Sequence, residues 1–254
     1  MALSIKDGSS CNAFFWILNG FLGFALVNNI VKRIQPESVR ASEKTSWRWC
    51  NTATSLVHGT VSGIWCLTCA WLTPEIIADL VQPYSSFSQA AVAVSVGYFV
   101  YDFVDIATHK PNRKSLEMML HHVVVTTCLG IAAIQHHYIG FAIISLMVEV
   151  NSMFLHWRQL FLLTGVPKMS TQYSVVKYLN IGSFIMFRIS TFVYMLLWHY
   201  INFHKVTSLF CSTVACTGIV LVFIMNFVLL YRIIQADIFY RPVQPAPICV
   251  AGTQ

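Results

Sequence analysis

Apolar residues in this chain run in long blocks separated by short polar connections, without the strict alternation of half-buried strands. Blocks of about twenty residues with few or no charges match the length at which an α-helix crosses a bilayer core. The pattern predicts seven such helices, at Asn12–Val31, Asn51–Leu72, Ser88–Ala107, Ser115–Gln135, Tyr138–Leu163, Tyr178–Tyr200 and Val206–Tyr231. A polar connection, Gln35–Ser46, follows the first block, and tight turns fall at Thr108–Lys114 and His136–His137. Residues 1–46 are read as a signal-anchor span with its connection, 47–232 as one membrane domain, and 233–254, with Pro242, Pro245 and Pro247, as a disordered tail.

Composition strengthens this reading. Only 10% of the 254 residues are charged and 56% are hydrophobic, against about 25% charged in an ordinary soluble domain. The expected class is an all-α polytopic membrane protein. The net charge of +6 does not point to nucleic acid, because the basic residues are scattered through short connections. Twelve of the sixteen (Lys32, Arg33, Arg40, Lys44, Arg48, Lys110, Arg113, Lys114, Lys168, Lys177, Arg232 and Arg241) border the connections after blocks one, three, five and seven. The positive-inside rule places those connections in the cytosol. Cleavage of the first block as a signal peptide would strand Lys32 and Arg33 on the wrong side, so it is read as retained. The eight cysteines do not form a disulfide framework. Cys66 and Cys69 make a C-x-x-C inside a span without a second pair, which reads as packing.

Candidate chemistry concentrates in Tyr98–His122, where two apolar blocks flank a basic turn. Charges at the centre of a span cost on the order of 2.5–3.5 kcal/mol each, so such groups are used in function or paired for structure. Tyr98, Asp102 and Asp105 share one helical face, as do Glu117 and His121, while His122 lies about 100° away. Antiparallel neighbours across the turn bring these faces together. Glu149, Asn151, Arg158 and Arg188 add polar groups from the fifth and sixth blocks. A histidine beside a carboxylate suits general-base or nucleophilic chemistry such as acyl transfer. The competing reading pairs Asp102, Asp105, Glu149 and Arg188 as interhelical ion pairs and uses the histidines for packing. No metal is expected, since an H-x-x-H-H pattern is absent. His58 reads as a core histidine and Asn28, Asn29 and Asn180 as interhelical glue.

The segment L-E-M-M-L-H-H at Leu116–His122 resembles the E-M-x-x-H-H segment of the TLC domain, shared by ceramide synthases, translocation-associated membrane proteins and smaller relatives. S-W-R-W-C-N at Ser46–Asn51, H-G-T-V-S-G-I-W at His58–Trp65, G-Y-F-V-Y-D-F-V-D at Gly97–Asp105 and V-E-V-N at Val148–Asn151 are similar to segments of the smaller relatives. The resemblance covers roughly Trp47–Tyr231 and implies a TLC-type helical bundle. Where ceramide synthases carry H-D-x-x-D after the paired histidines, this chain has Val148, Glu149 and Ser152. That departure argues against ceramide synthesis.

The resemblance implies a regulator of phospholipid acyl composition and membrane fluidity. The smaller relatives limit incorporation of polyunsaturated chains and are assigned to the plasma membrane, with the endoplasmic reticulum as the alternative. A second reading is an acyl-CoA-dependent lipid acyltransferase, with His121 or His122 as base or nucleophile, oriented by Asp102 and Glu117. A third is a structural or channel-modulating partner. Asp105, Glu149 and Arg188 are the ligand-binding candidates. Membrane lipids and fatty acyl-CoA are the expected partners, acyl-CoA as substrate rather than cofactor, with protein partners left open. The charge asymmetry predicts a cytosolic C-terminus: a tag there resists external protease in intact cells and is digested only after permeabilisation.

Overall fold

The computed structural model describes residues 7–109, 113–206 and 208–239, and the side chains of residues 7–11 and 114 are not among the features described. Lys6, Lys110, Arg241 and residues 240–254 of the expected tail lie outside this range. The described residues form helices α1 (Asp7–Ile34), α2 (Glu37–Arg40), α3 (Glu43–Leu72), α4 (Glu75–Ala78), α5 (Ser86–Thr108), α6 (Arg113–Gln135), α7 (Ile139–Leu146), α8 (Glu149–Leu163), α9 (Thr171–Phe184), α10 (Ser190–Ile201) and α11 (Leu209–Asp237). A π-helical turn, Ile185–Ile189, joins α9 to α10. Seven stretches are long and apolar enough to cross a membrane, with α7–α8 and α9–α10 each acting as one span. The protein is therefore an all-α, multi-pass integral membrane protein.

Local chemistry sets several helix ends. Ser85, Ser170 and Ser208 each accept a hydrogen bond from a backbone N–H in the first turn of α5, α9 and α11, which satisfies donors that helix geometry leaves unpaired. After α8, Gly165 adopts φ +78°, the left-handed conformation in which helices commonly stop. At Met147–Val148 the backbone tightens: Val148 N bonds to Ser145 O and Val150 N to Met147 O. These i to i+3 bonds mark a short tightened turn within a continuing span.

Three boundaries differ from the sequence pattern. α3 begins at Glu43, so the Trp47–Trp49 segment lies on a helix. The sixth span begins at Thr171, because Ser170 caps it well ahead of its most apolar part. α11 runs on to Asp237, so residues 233–237 are helical rather than part of a disordered tail. The extension is held by Asp237, which accepts from Arg158 Nε at 2.5 Å, Arg158 Nη2 at 2.7 Å and Tyr173 Oη at 2.7 Å. Three spans are thereby tied together at one end of the bundle.

Close approach of helices organises the rest. α1 lies along α5, and α3 along α8. A Cβ added to Gly20 would fall 2.5 Å from Val94 O, and one on Gly97 would fall 2.7 Å from Phe21 N. No real side chain tolerates such distances, so α1 and α5 can meet only through glycine, as small-residue crossings in membranes do. Asn28 Nδ2 also reaches Thr54 Oγ1 at 3.2 Å, linking α1 to α3.

At the opposite end, α4 and the residue after it are fastened to α10 and its following turn. Trp198 Nε1 donates to Ala78 O at 3.0 Å, Tyr194 Oη donates to Ile77 O, and Lys205 Nζ reaches Asp79 Oδ2 at 3.1 Å. Burial pushes the Asp79 carboxyl up, but the backbone N–H of Val81, Lys205 and the N–H of Gln82 together outweigh it and hold the group below its ordinary value.

Gly97→Ala is expected to destabilise the protein in detergent by roughly 1–3 kcal/mol through overpacking, read as a lowered thermal midpoint. Gly23, where an added Cβ meets nothing within 4 Å, provides the control: Gly23→Ala leaves the midpoint unchanged or slightly raised.

Candidate functional site

Asp102 on α5 is the first node. It is buried, and its Oδ2 lies 3.0 Å from His122 Nε2 on α6, with both side chains almost wholly enclosed. Its Oδ1 accepts from Asn51 Nδ2 on α3 at 2.6 Å. Asn51 also donates to Asp105 Oδ2 at 3.0 Å, and Trp47 Nε1 donates to the same oxygen at 3.0 Å. His109 stacks on Trp47 at 4.9 Å and bonds to the Asp105 backbone carbonyl at 2.7 Å. Both carboxylate oxygens of Asp102 and the Oδ2 of Asp105 accept from neighbouring side chains, which offsets the cost of burying them.

The second node is Glu149, at the start of α8. Its Oε2 stands 3.7 Å from His58 Nδ1 on α3, an electrostatic contact longer than a normal hydrogen bond. His58 stacks flat on Tyr98, with centroids 3.7 Å apart, and meets Phe24 and Phe99 edge-on. His156, two turns further along α8, lies within electrostatic range of Glu149, Asp102, Arg188 and His58.

Arg188 sits in the π-helical turn and is buried. Nε donates to Asn151 Oδ1 at 2.6 Å, Nη1 to Asn226 Oδ1 at 2.7 Å and Nη2 to Ser152 Oγ at 2.7 Å. Among the described residues no carboxylate lies within salt-bridge distance of it. Asn151 is itself aimed by donating to Asn180 O, Asn180 Oδ1 and Ser183 Oγ at 2.9–3.1 Å. This lattice joins α8, α9, the π-turn and α11.

Beside these nodes lies an apolar cavity walled chiefly by α6, α7, α8, α10 and α11. Its walls are chiefly Val, Leu, Ile, Ala, Phe and Met side chains, and His121 and Glu149 supply polar groups. His121–Ala132 on α6 spans roughly 16 Å along the cavity at 1.5 Å per residue. At its far end are Tyr138, His199 and Cys211. A largely apolar pocket with a few convergent polar groups is the usual form of a small-molecule site.

The structure brings together some of the candidates and separates others. Asp102 meets His122, and His121 with Glu149 faces the cavity. Glu117 does not orient either histidine: its carboxylate pairs with Arg232 on α11 at 2.8 and 3.3 Å, in a half-exposed position. Asp105 is engaged by Trp47 and Asn51 and is not part of the cavity wall. Among the described residues Arg188 makes no ion pair, and amide and hydroxyl oxygens solvate it. Cys66 and Cys69 are buried in the core, and no group of three His, Cys, Asp or Glu among the described residues is placed to hold a metal.

Sequence reasoning passed over His156, Asn226 and Asp237 as partners. His156 carried a readable signal, because Glu149, Ser152 and His156 recur at i, i+3 and i+7 on α8. Nothing local marks Asn226 as the acceptor for Arg188.

The fold and site together are those of a multi-pass helical membrane protein with a buried acid–imidazole lattice beside an apolar cavity. Residues 48–235 match the family model of the TLC domain. The chain is 39% identical over 215 residues to TLC domain-containing protein 2 of Danio rerio, covering 84% of this chain and 85% of that one. It is 34% identical to TLC domain-containing protein 2 of Homo sapiens over 229 residues, covering 89% and 85%. Against TLC domain-containing protein 1 of Mus musculus the identity is 32% over 180 residues, covering 70% and 72%. The chain belongs to the TLC domain family, and this membership points to a role connected with membrane lipids.

Asp102→Ala strands His122 and Asn51 without their shared acceptor and is expected to cost on the order of 3 kcal/mol. Glu117→Gln, at the half-exposed position, leaves the thermal midpoint within error of the parent. Equal losses from the two would overturn the separation of Glu117 from the buried lattice.

Proposed function

We propose that the protein takes a fatty acyl chain into the α6–α11 cavity and thereby regulates the acyl composition of membrane phospholipids and membrane fluidity, limiting incorporation of polyunsaturated chains. The observation that carries this reading is the pairing of a long apolar slot with His121 and Glu149 on its wall. The apolar walls suit a hydrocarbon tail, and the two polar side chains suit a carbonyl or headgroup oxygen. Glu149 is braced from behind by the His58 stack, and the bonds of Arg188 to Asn151 and Ser152 fix the rotation of α8. The membrane in which the protein works is taken to be the plasma membrane, as the resemblance implies.

A second reading, acyl transfer from acyl-CoA, is favoured by the unengaged His121 ring. Among the described residues it has no hydrogen-bond partner, and it sits on the cavity wall against His122. In that reading His121 accepts the proton of a lysophospholipid hydroxyl as its oxygen attacks the thioester carbonyl. The carbon–sulfur bond then breaks, and the departing CoA thiolate takes the proton back. Asp102 and His122 act behind it as a fixed scaffold. Ceramide synthesis is disfavoured because Val148 and Ser152 stand where H-D-x-x-D would place ionisable groups.

Cells lacking the protein are expected to show a raised polyunsaturated share of phospholipid acyl chains in lipidomics, and the wild-type chain restores it. Unchanged composition would count against the proposal. Purified protein in mild detergent is expected to release a bound acyl lipid detectable by mass spectrometry. Turnover of acyl-CoA with lysophospholipid that is lost in His121→Ala would favour the transferase reading, and absence of turnover with retained lipid favours binding alone.

A further inference from the structure

The basic residues on the side read as cytosolic are not equivalent. Arg158 and Arg232 are in ion pairs with Asp237 and Glu117. Lys168 donates to Ala236 O at 2.9 Å, and Lys177 lies over the Tyr178 ring. The connection between the first two spans differs. Lys32, Arg33, Arg40, Lys44 and Arg48 are all exposed there. Among the described residues no carboxylate lies within salt-bridge distance of any of the five. Acids are at hand, since Glu37 and Glu43 stand in the first turns of α2 and α3, yet neither pairs with them.

Three of these cations are held at one elbow. Arg40 Nη2 donates to Arg33 O at 3.2 Å, which folds α2 back onto the end of α1. Gln35 Nε2 donates to Lys32 O at 3.1 Å, and Gln35 Oε1 accepts from Ser46 Oγ at 2.6 Å, tying the elbow to α3. Val39 is wholly buried and anchors α2. Lys44 and Arg48, one turn apart on α3, form a second basic stripe nearby. Orientation in the membrane needs only that cations be present on one side. It does not need them fixed by hydrogen bonds into a single corner without a counter-charge. The charge asymmetry puts this corner at the cytosolic leaflet, whose serine and inositol phospholipids are anionic. Guanidinium groups match phosphate oxygens in geometry as well as charge. We propose that the α1–α2 elbow is a headgroup site for an anionic phospholipid of that leaflet, recognised through Lys32, Arg33 and Arg40. None of the three lines the apolar cavity, so the site stands apart from the acyl-chain reading.

The test reconstitutes the full-length protein in nanodiscs of phosphatidylcholine with a minority of phosphatidylserine, then counts the lipids it retains on extraction by native mass spectrometry. The wild-type protein is expected to retain phosphatidylserine at roughly three- to tenfold its share of the bilayer. That enrichment falls as salt is raised, because exposed charges are screened. Arg33→Gln/Arg40→Gln is expected to bring the retained lipid back to about the bilayer ratio. Arg33→Lys/Arg40→Lys, which keeps both charges, retains most of the enrichment and keeps the test valid should the Gln variant fold poorly. Lys177→Gln, which removes a cation already placed over an aromatic ring, leaves the enrichment unchanged. No enrichment in the wild-type protein overturns the proposal, as does enrichment that survives in Arg33→Gln/Arg40→Gln. An equal loss in Lys177→Gln would mean diffuse surface charge rather than a site, and also overturns it. So does a loss in the Lys variant as complete as in the Gln variant, since charge would then not be what is recognised. Soluble glycerophosphoserine that binds as tightly as the lipid would point to a free anion instead of the leaflet, and overturns it too.

Discussion

A guanidinium at mid-depth in a membrane bundle cannot escape its charge by losing a proton, so the protein must solvate it. Arg188 is solvated by Asn151, Ser152 and Asn226, which reach it from α8 and α11. Each of those partners has further bonds of its own: Asn151 to Asn180 and Ser183, and Asn226 Nδ2 to Val222 O. The rotation of α8 about its axis is fixed by this arrangement. With α8 fixed, Glu149 reaches both His58 and the cavity. Membrane helices gain little from hydrophobic attraction to one another, so packing and polar contacts decide their orientation.

The polar interior divides into two functional parts. Asp102 and His122 are sealed from the cavity and bridge α3, α5 and α6 through Asn51. His121, one residue away on α6, stands on the cavity wall. Neighbouring positions on a helix point about 100° apart, and here that angle separates a scaffold histidine from one with room to meet a ligand. A paired histidine motif can thus serve two physical purposes at once.

Much of this was legible in the sequence because bilayer-crossing helices announce themselves by length and charge content. The seven spans, the all-α class, the shared face of Tyr98, Asp102 and Asp105, and the meeting of α5 with α6 all follow from local periodicity. What periodicity does not supply is azimuth. Nothing between Ser115 and Gln135 indicates whether His121 or His122 turns toward Asp102. Glu117 looked like a partner of His121 because they are four residues apart, yet Arg232, distant in sequence, holds it. The extent of α11 was underestimated because Arg232 resembles the end of an apolar block, while Ile233 is buried and Asp237 finds Arg158. The family resemblance was readable because its motif segments lie on α3, α5, α6 and α8, which carry the two nodes.

The π-helical turn at Ile185–Ile189 carries a residue more per turn than the α-helices on either side. Beyond it, Phe192, Met195 and His199 form a stripe that continues from Arg188 and lines the cavity. Straightening this turn into an ordinary α-helix without changing its number of residues would swing everything downstream by about 100°. Arg188 would leave its cradle and the cavity would lose one wall in the same event. The turn therefore sets the phase between the two halves of the span, and a change that straightened it would act as a phase error rather than a simple lengthening.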